Sequence, residues 1–400
     1  TKFTHRQSRG TFGLGGSLAL LYGQVTTQKP IEIITGIQGE EFFHSIQMKL
    51  DIDRNEPEII QEERFPKEKE DHGTTISFHL QGDWLRSKKR ILDYFNQTSV
   101  IVPYSSIWFQ TPEGELLEHE RVIDVLPKPP KEVKPHPSGI DVELLKSMIS
   151  TTRYKNIKSF LMKTFQRIGP STADGFLLYA SLDPEVNPKS LSDEVLLDMM
   201  NALAEFNGFM APTSNALSPA GSTAMHVGMK RLNPELLVTT ERAPSVHEGH
   251  PFIIEAGVAY GGELPAGTNL FRFANRIPLL YDEGSDVSTR VIRGLNLKPY
   301  GFRSEDPLAF FVHLCSTKVP YKTVGKEYIA DVDAVRREID LGLKDCLRRL
   351  GEQVRKRNRV HKKTKRESRL RNYYQFIAST LEEATCQKVG LENLMKSEEE

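Results

Sequence analysis

Cysteine is scarce in this 400-residue chain, with only Cys315, Cys346 and Cys386. An odd number without metal-ligand spacing argues against a disulfide framework or a zinc site, and for a reducing cytoplasm. No apolar run approaches the roughly 20 residues that a membrane-crossing helix needs. Net charge is lacking too, because 53 Lys and Arg balance 53 Asp and Glu, so overall charge announces no nucleic-acid partner. The sequence holds no internal repeat, no long low-complexity tract and no defensible Ser-His-Asp, Cys-His or paired-carboxylate constellation. His250, His313 and Glu255 are scattered along it and read as structural.

What is present is the composition of an ordinary soluble protein, 26% charged and 38% hydrophobic, long enough for two or three domains with a core in each. The most distinctive stretch is residues 6–17, with Arg6 and Arg9 followed by Gly10, Gly13, Gly15 and Gly16. Glycines let backbone N–H groups approach a ligand closely, and the apolar run Leu18 to Tyr22 reads as a helix whose N-terminus favours anions. The residues alone describe either a phosphate cradle or a flexible turn before a helix.

Alternating apolar positions in Ile31–Ile34, Phe43–Leu50 and Thr74–Leu80 predict strands, and Trp84 to Gln97 reads as a helix, giving an α/β layer. Five prolines between Pro127 and Pro137 mark a linker. Helical periodicity follows in 142–149, 157–168, 172–182 and 191–206, where Arg153, Lys155 and Lys158 are candidates for phosphate contact. Strand-like stretches return at 252–260 and 310–314, and Asp331 opens a long helix with apolar residues at three-to-four spacing. From Lys344 to Arg371 that helix carries thirteen Lys and Arg against three acidic residues. Such a stripe is either a DNA footprint or a solvated helix face.

The segment His313-Leu314-Cys315-Ser316-Thr317-Lys318-Val319-Pro320-Tyr321, with Gly325-Lys326-Glu327 after it, resembles a signature of the B subunit of the type IIB DNA topoisomerases (topoisomerase VI). So does the Gln7-Ser8-Arg9-Gly10 opening, and so, in collinear order, do Pro30 to Ile33, His72-Gly73-Thr74, Pro127 to Pro130, Gly249 to Phe252 and Arg272 to Tyr281. The resemblance fades only in the last twenty-odd residues.

It implies an α+β multidomain fold. Residues 1–130 would be the C-terminal part of a GHKL (Bergerat) ATP-binding domain with its lid, and 131–212 a helix–two-turn–helix domain. Residues 213–378 would be an α/β transducer ending in a long basic stalk helix, with 379–400 a tail. It implies an ATP lid through Thr1, Lys2, Gly10, Thr11, Phe12, Gly13, Leu14, Gly15, Gly16 and Ser17, with Thr74 near the base. Lys318 would reach the γ-phosphate, the single catalytic assignment. Lys298 and Tyr300 would match a DNA-contacting element.

Two departures stand out: Ser17 replaces a frequent lid lysine, which weakens phosphate contact, and Leu297 replaces a tryptophan. The family places its Mg²⁺-holding Asn, its general-base Glu and its adenine-reading Asp upstream of the lid. The expectation is therefore a fragment of a longer ATPase, with no metal ligand in this stretch. Its implied cofactors are ATP and Mg²⁺. Its implied partners are the DNA-cleaving A subunit of topoisomerase VI, a second copy of the B subunit, and double-stranded DNA, without a membrane, in the cytoplasm at the nucleoid. The rival readings are another GHKL clamp and a non-catalytic scaffold for an A-type partner. Purified residues 1–400 are expected to show no magnesium-dependent ATP hydrolysis; measurable phosphate release from this polypeptide would contradict the reading.

Overall fold

The computed structural model describes residues 6–10, 14–54, 56–323 and 325–385. Helix α1 (Gly15–Thr27) leads into strands β1 (Ile31–Gly36), β2 (Phe42–Asp51), β3 (Glu56–Pro66) and β4 (Gly73–Ser77), then helix α2 (Trp84–Ile101). The strands form an antiparallel sheet in the order β3-β2-β1-β4, with Ile33 opposite both Ile46 and Ile76. Gln24 of α1 exchanges two hydrogen bonds with the backbone of Leu50, at 2.7 and 2.9 Å, fixing the helix to β2.

Strand β3 is not predicted by the sequence pattern. Its residues, Glu-Pro-Glu-Ile-Ile-Gln-Glu-Glu-Arg-Phe-Pro, are exposed throughout and carry no alternation. They are held by backbone pairing to β2, and edge charges of this kind discourage further pairing. A short hairpin, β5 (Ile107–Gln110) and β6 (Leu116–His119), follows α2.

The proline-rich stretch 120–136 has no regular structure. Four helices come next: α3 (Val142–Thr151), α4 (Ile157–Thr164), α5 (Pro170–Tyr179) and α6 (Asp193–Glu205). Asp141, Asn156 and Ser192 cap α3, α4 and α6 through side-chain oxygens, and Pro170 opens α5 at a position that needs no N–H. Leu145, Phe160, Phe176, Met199 and Leu203 share their core. Helix α4 stops short of the predicted Ile168 because Phe165 takes an extended conformation, and α5 stops short of Leu182 because Ser181, just past its C-cap, is left-handed.

The remainder comprises α7 (Ser222–Met229), β7 (Leu236–Glu241), β8 (Ser245–His247), β9 (His250–Tyr260), β10 (Thr268–Ala274), β11 (Ile277–Pro278), α8 (Val287–Gly294), β12 (Leu308–Ser316) and α9 (Asp333–Thr385). The sheet runs β11-β10-β12-β9-β7, with β8 also on β9 and only β10 and β12 parallel.

Every residue of β12 is buried. Successive side chains of a strand point to opposite faces, so the strand divides between two cores. Phe310, Val312 and Leu314 join Val335, Ile339, Leu343 and Leu347 of α9. Ala309 and Phe311 join Met225 and Met229 of α7 and Val100 and Ile101 of α2. The last turn of α2 is thus built into the same core as the second sheet. A Cβ on Gly228 would stand 1.8 Å from the Val100 carbonyl oxygen. Gly228→Ala is therefore expected to destabilise the chain by about 3 kcal/mol through overpacking, read as a clear fall in the thermal midpoint; an unchanged midpoint would show that α2 and α7 can separate freely.

Candidate functional site

Two segments far apart in sequence meet at the end of the second sheet. Gln7 is buried, and its backbone N–H donates to the Ala216 carbonyl at 2.8 Å. Its side chain donates to Ser218 O and accepts from both Ser218 N–H and the Cys315 thiol. Burial pushes that thiol well above its ordinary pKa, with the charge of Glu255 adding to the effect, so it stays a neutral donor. Arg9 donates to the Arg276 carbonyl at 3.3 Å. The stretch before the glycines is therefore pinned at its root.

The Lys318 loop leaves the same place. Asn275, 5% exposed, donates from Nδ2 to Ser8 O at 3.0 Å and to Ser316 O at 2.9 Å, and its Oδ1 accepts from Ser316 N–H at 2.9 Å. One amide thus clamps the root of the glycine loop and the end of β12. Ser316 Oγ donates toward Lys318 O and accepts from Lys318 N–H, folding the loop back tightly. Thr317 Oγ1 lies 3.1 Å from His250 Nδ1. The Lys318 side chain is 60% exposed, and its Nζ is 3.9 Å from Glu248 Oε2. An exposed pair at that distance holds weakly, so the ammonium can exchange it for a stronger anion.

Gly10, Gly15 and Gly16 have no heavy atom near the place a Cβ would occupy. Helix α1 begins without a side-chain cap and without an acid in its first turn, and Ser17 is exposed there. Its first N–H groups are open to an anion, which a phosphate fits. Thr1, Lys2, Thr11, Phe12 and Gly13 lie outside the described residues. Thr74 stands on β4, its hydroxyl 2.8 Å from that of Thr35.

His313 and Glu255, far apart in sequence and read there as structural, meet in the interior. They are directly opposed on β12 and β9, with Nδ1 and Oε2 2.6 Å apart and both side chains fully buried. His313 Nε2 accepts from Arg276 N–H at 2.9 Å, which places the ring proton on Nδ1, donated to the carboxylate. Glu255 also accepts from Ala220 and Gly221 N–H, just ahead of α7. The pair braces the Asn275–Arg276 corner, where both residues hold left-handed conformations.

A type 2 DNA topoisomerase 6 B subunit from Metallosphaera sedula is 42% identical over 355 residues, covering 88% of this chain and 67% of that protein. The chain belongs to the topoisomerase VI B-subunit family. The relative from Sulfurisphaera tokodaii, of the same name, is 39% identical over 383 residues, covering 94% of this chain and 71% of the relative. Residues 212–366 match the family model of the topoisomerase VI B subunit transducer. The 43K ATPase domain of Thermus thermophilus gyrase B is 12% identical, covering 92% of this chain and 75% of that one at a TM-score of 0.36.

Further basic surface belongs to this family member. Lys298 is exposed on a short turn (Lys298–Tyr300), whereas Leu297 and Tyr300 pack against the α8–α9 core. Leu297 is an apolar packing residue there. The Tyr300 carbonyl accepts from Arg355 at 3.5 Å, so the turn adjoins the basic part of α9. Residues 355–369 of that helix are exposed without exception.

Arg86, Lys89 and Arg90 of α2 line a groove of about 380 Å³ with Arg272 and with the acidic Asp93 and Glu283, a grouping that no sequence motif marks. Arg272 is buried, paired with Asp286 at 3.3 Å, and its Nη1 has no hydrogen bond. In the helical unit Lys158 is paired with Asp174 at 2.6 Å, while Arg153 and Lys155 stay exposed. Glu255→Ala would leave His313 and two N–H groups unpaired in the interior. It is expected to destabilise the chain by roughly 3–5 kcal/mol, at about 1–3 kcal/mol for each buried donor left unpaired, measured by thermal or urea denaturation; a loss below about 1 kcal/mol, the scale of a single ordinary hydrogen bond, would mean that the corner needs no brace.

Proposed function

We propose that this chain is the gate-forming part of a type IIB topoisomerase B subunit, in which ATP closes a clamp on DNA. The observation that carries it is the single amide of Asn275 joining the glycine loop's root to the loop of Lys318. Residues 1–130 supply the lid side of a GHKL ATP-binding domain, 131–212 a helix–two-turn–helix domain and 213–378 the transducer. The tail, 379–400, is left to a partner contact. The open N–H groups of α1 and the glycines Gly10, Gly15 and Gly16 cradle phosphates, with Leu14 and Ser17 at the helix entry. Lys318 leaves Glu248 for the γ-phosphate, an ammonium on a long stem suiting a charge that forms and departs.

ATP, when bound, supplies that γ-phosphate and the free energy of its release. Among the described residues there is no group of three or more His, Cys, Asp or Glu that could hold a metal ion. Two copies of the B subunit close together around one duplex, and the A subunit cuts the other, in the cytoplasm at the nucleoid. Among the described residues no helix is long and apolar enough to cross a membrane. The exposed basic run of α9, the α2 groove, and Lys298 with Tyr300 contact DNA through phosphates, so binding falls steeply with salt and discriminates little between sequences.

Lys318→Ala in the full-length protein, assembled with the DNA-cleaving A subunit, is expected to depress ATP turnover by one to two orders of magnitude, on the scale of removing one preorganised charge-stabilising group, and to uncouple it from supercoil relaxation. Wild-type turnover and relaxation in that variant would overturn the assignment.

A further inference from the structure

We infer that Asn275 is a positioning residue for nucleotide discrimination: it sets Lys318 at a fixed place relative to the phosphate loop, so that the protein distinguishes a triphosphate from a diphosphate. The inference rests on the assignment of Lys318 to the γ-phosphate and adds a residue that no sequence motif marks for this role.

The loop carrying Lys318 and the loop carrying the glycines belong to separate layers of the molecule, more than three hundred residues apart in sequence. Ser8 O, two residues before Gly10, and Ser316 O, two residues before Lys318, both accept from the one Nδ2 group of Asn275. The opposite side of the same amide accepts from Ser316 N–H. The amide thus joins the roots of the two loops directly, beside the tethers that Gln7 and Arg9 supply. Asn275 sits at φ 48°, a left-handed conformation that Asn tolerates better than most residues. Its own N–H pairs with Leu314 O and its neighbour's N–H with His313, so the side chain is aimed by the end of the sheet. The fold does not depend on it alone, because Gln7 and Arg9 tether the loop root independently.

Asn275→Asp separates the two jobs of the amide. It keeps the size, the left-handed tolerance and the acceptor facing Ser316 N–H, but it turns a carboxylate oxygen toward two carbonyls. Asn275→Gly removes the side chain without backbone strain.

The measurement is the affinity of the full-length protein for ADP and for adenylyl imidodiphosphate, a non-hydrolysable triphosphate. In Asn275→Asp and Asn275→Gly, triphosphate affinity is expected to fall about tenfold, as for one lost contact to a charged group, while ADP affinity stays within about twofold. Lys318→Ala should show the same selective loss, and the double variant Asn275→Asp with Lys318→Ala should be no worse than Lys318→Ala alone, since one acts through the other. If Lys318→Ala loses triphosphate selectivity and both Asn275 variants keep it, this inference is wrong and the Lys318 assignment stands. If Lys318→Ala binds both nucleotides as the wild type does, the Lys318 assignment itself fails. Equal loss of both nucleotides in the two Asn275 variants would make Asn275 a residue of the fold only, which also overturns the inference.

Discussion

Strands β9 and β12 are buried on both faces, and the rest of the molecule follows from satisfying them. A strand that alternates Phe310, Val312 and Leu314 with Ala309 and Phe311 needs an apolar layer on each side. One layer is α8 with the first half of α9; the other is α7 with the end of α2. The second layer recruits α2, the helix that follows the first sheet, and so ties the first unit to the second. Burial at the sheet therefore ties the two halves of the candidate site into one structure.

The end of β12 is where that tie becomes chemistry. His313 and Glu255 are placed in the interior by strand register and are tolerable there because each finds hydrogen-bond partners. They fix the corner at Asn275 and Arg276, and the corner gathers Ser8, Ser316 and Ser218 around it. The site is a junction of backbone carbonyls and amides more than a cluster of reactive side chains, which explains why scanning for catalytic residue types finds almost nothing in this chain.

Much of the fold is legible in the sequence because its signals are local. The apolar spacing of 142–149, 191–206 and α9 lies within a few residues of what it specifies. The caps Asp141, Asn156 and Ser192 that open α3, α4 and α6 are equally local. Strand β3 is not legible, since its edge position leaves its residues exposed and without alternation while its backbone pairs with β2. Glu255 and His313 cannot be paired from sequence either: their meeting depends on a register set 58 residues apart. Gln7 and Asn275 stand inside recognisable motifs, yet nothing local says that an amide will be used as a clamp. Lys318 is marked by resemblance, whereas the residue that aims it is visible only in three dimensions.

Helix α9 has a mechanical consequence. Arg357 ties it to the sheet unit through Glu235 and the Tyr260 ring. Beyond that tie, Asn358 to Thr385 prolong the helix as a rod of about 40 Å at 1.5 Å per residue. A rod anchored at its base works as a pointer: a rotation of about ten degrees there carries its tip through about 7 Å, given that length. Ångström-scale rearrangements at its base are thus geared up into displacements of several ångströms at its tip, and the Lys and Arg residues between Arg359 and Arg371 resist bending of the rod back on itself.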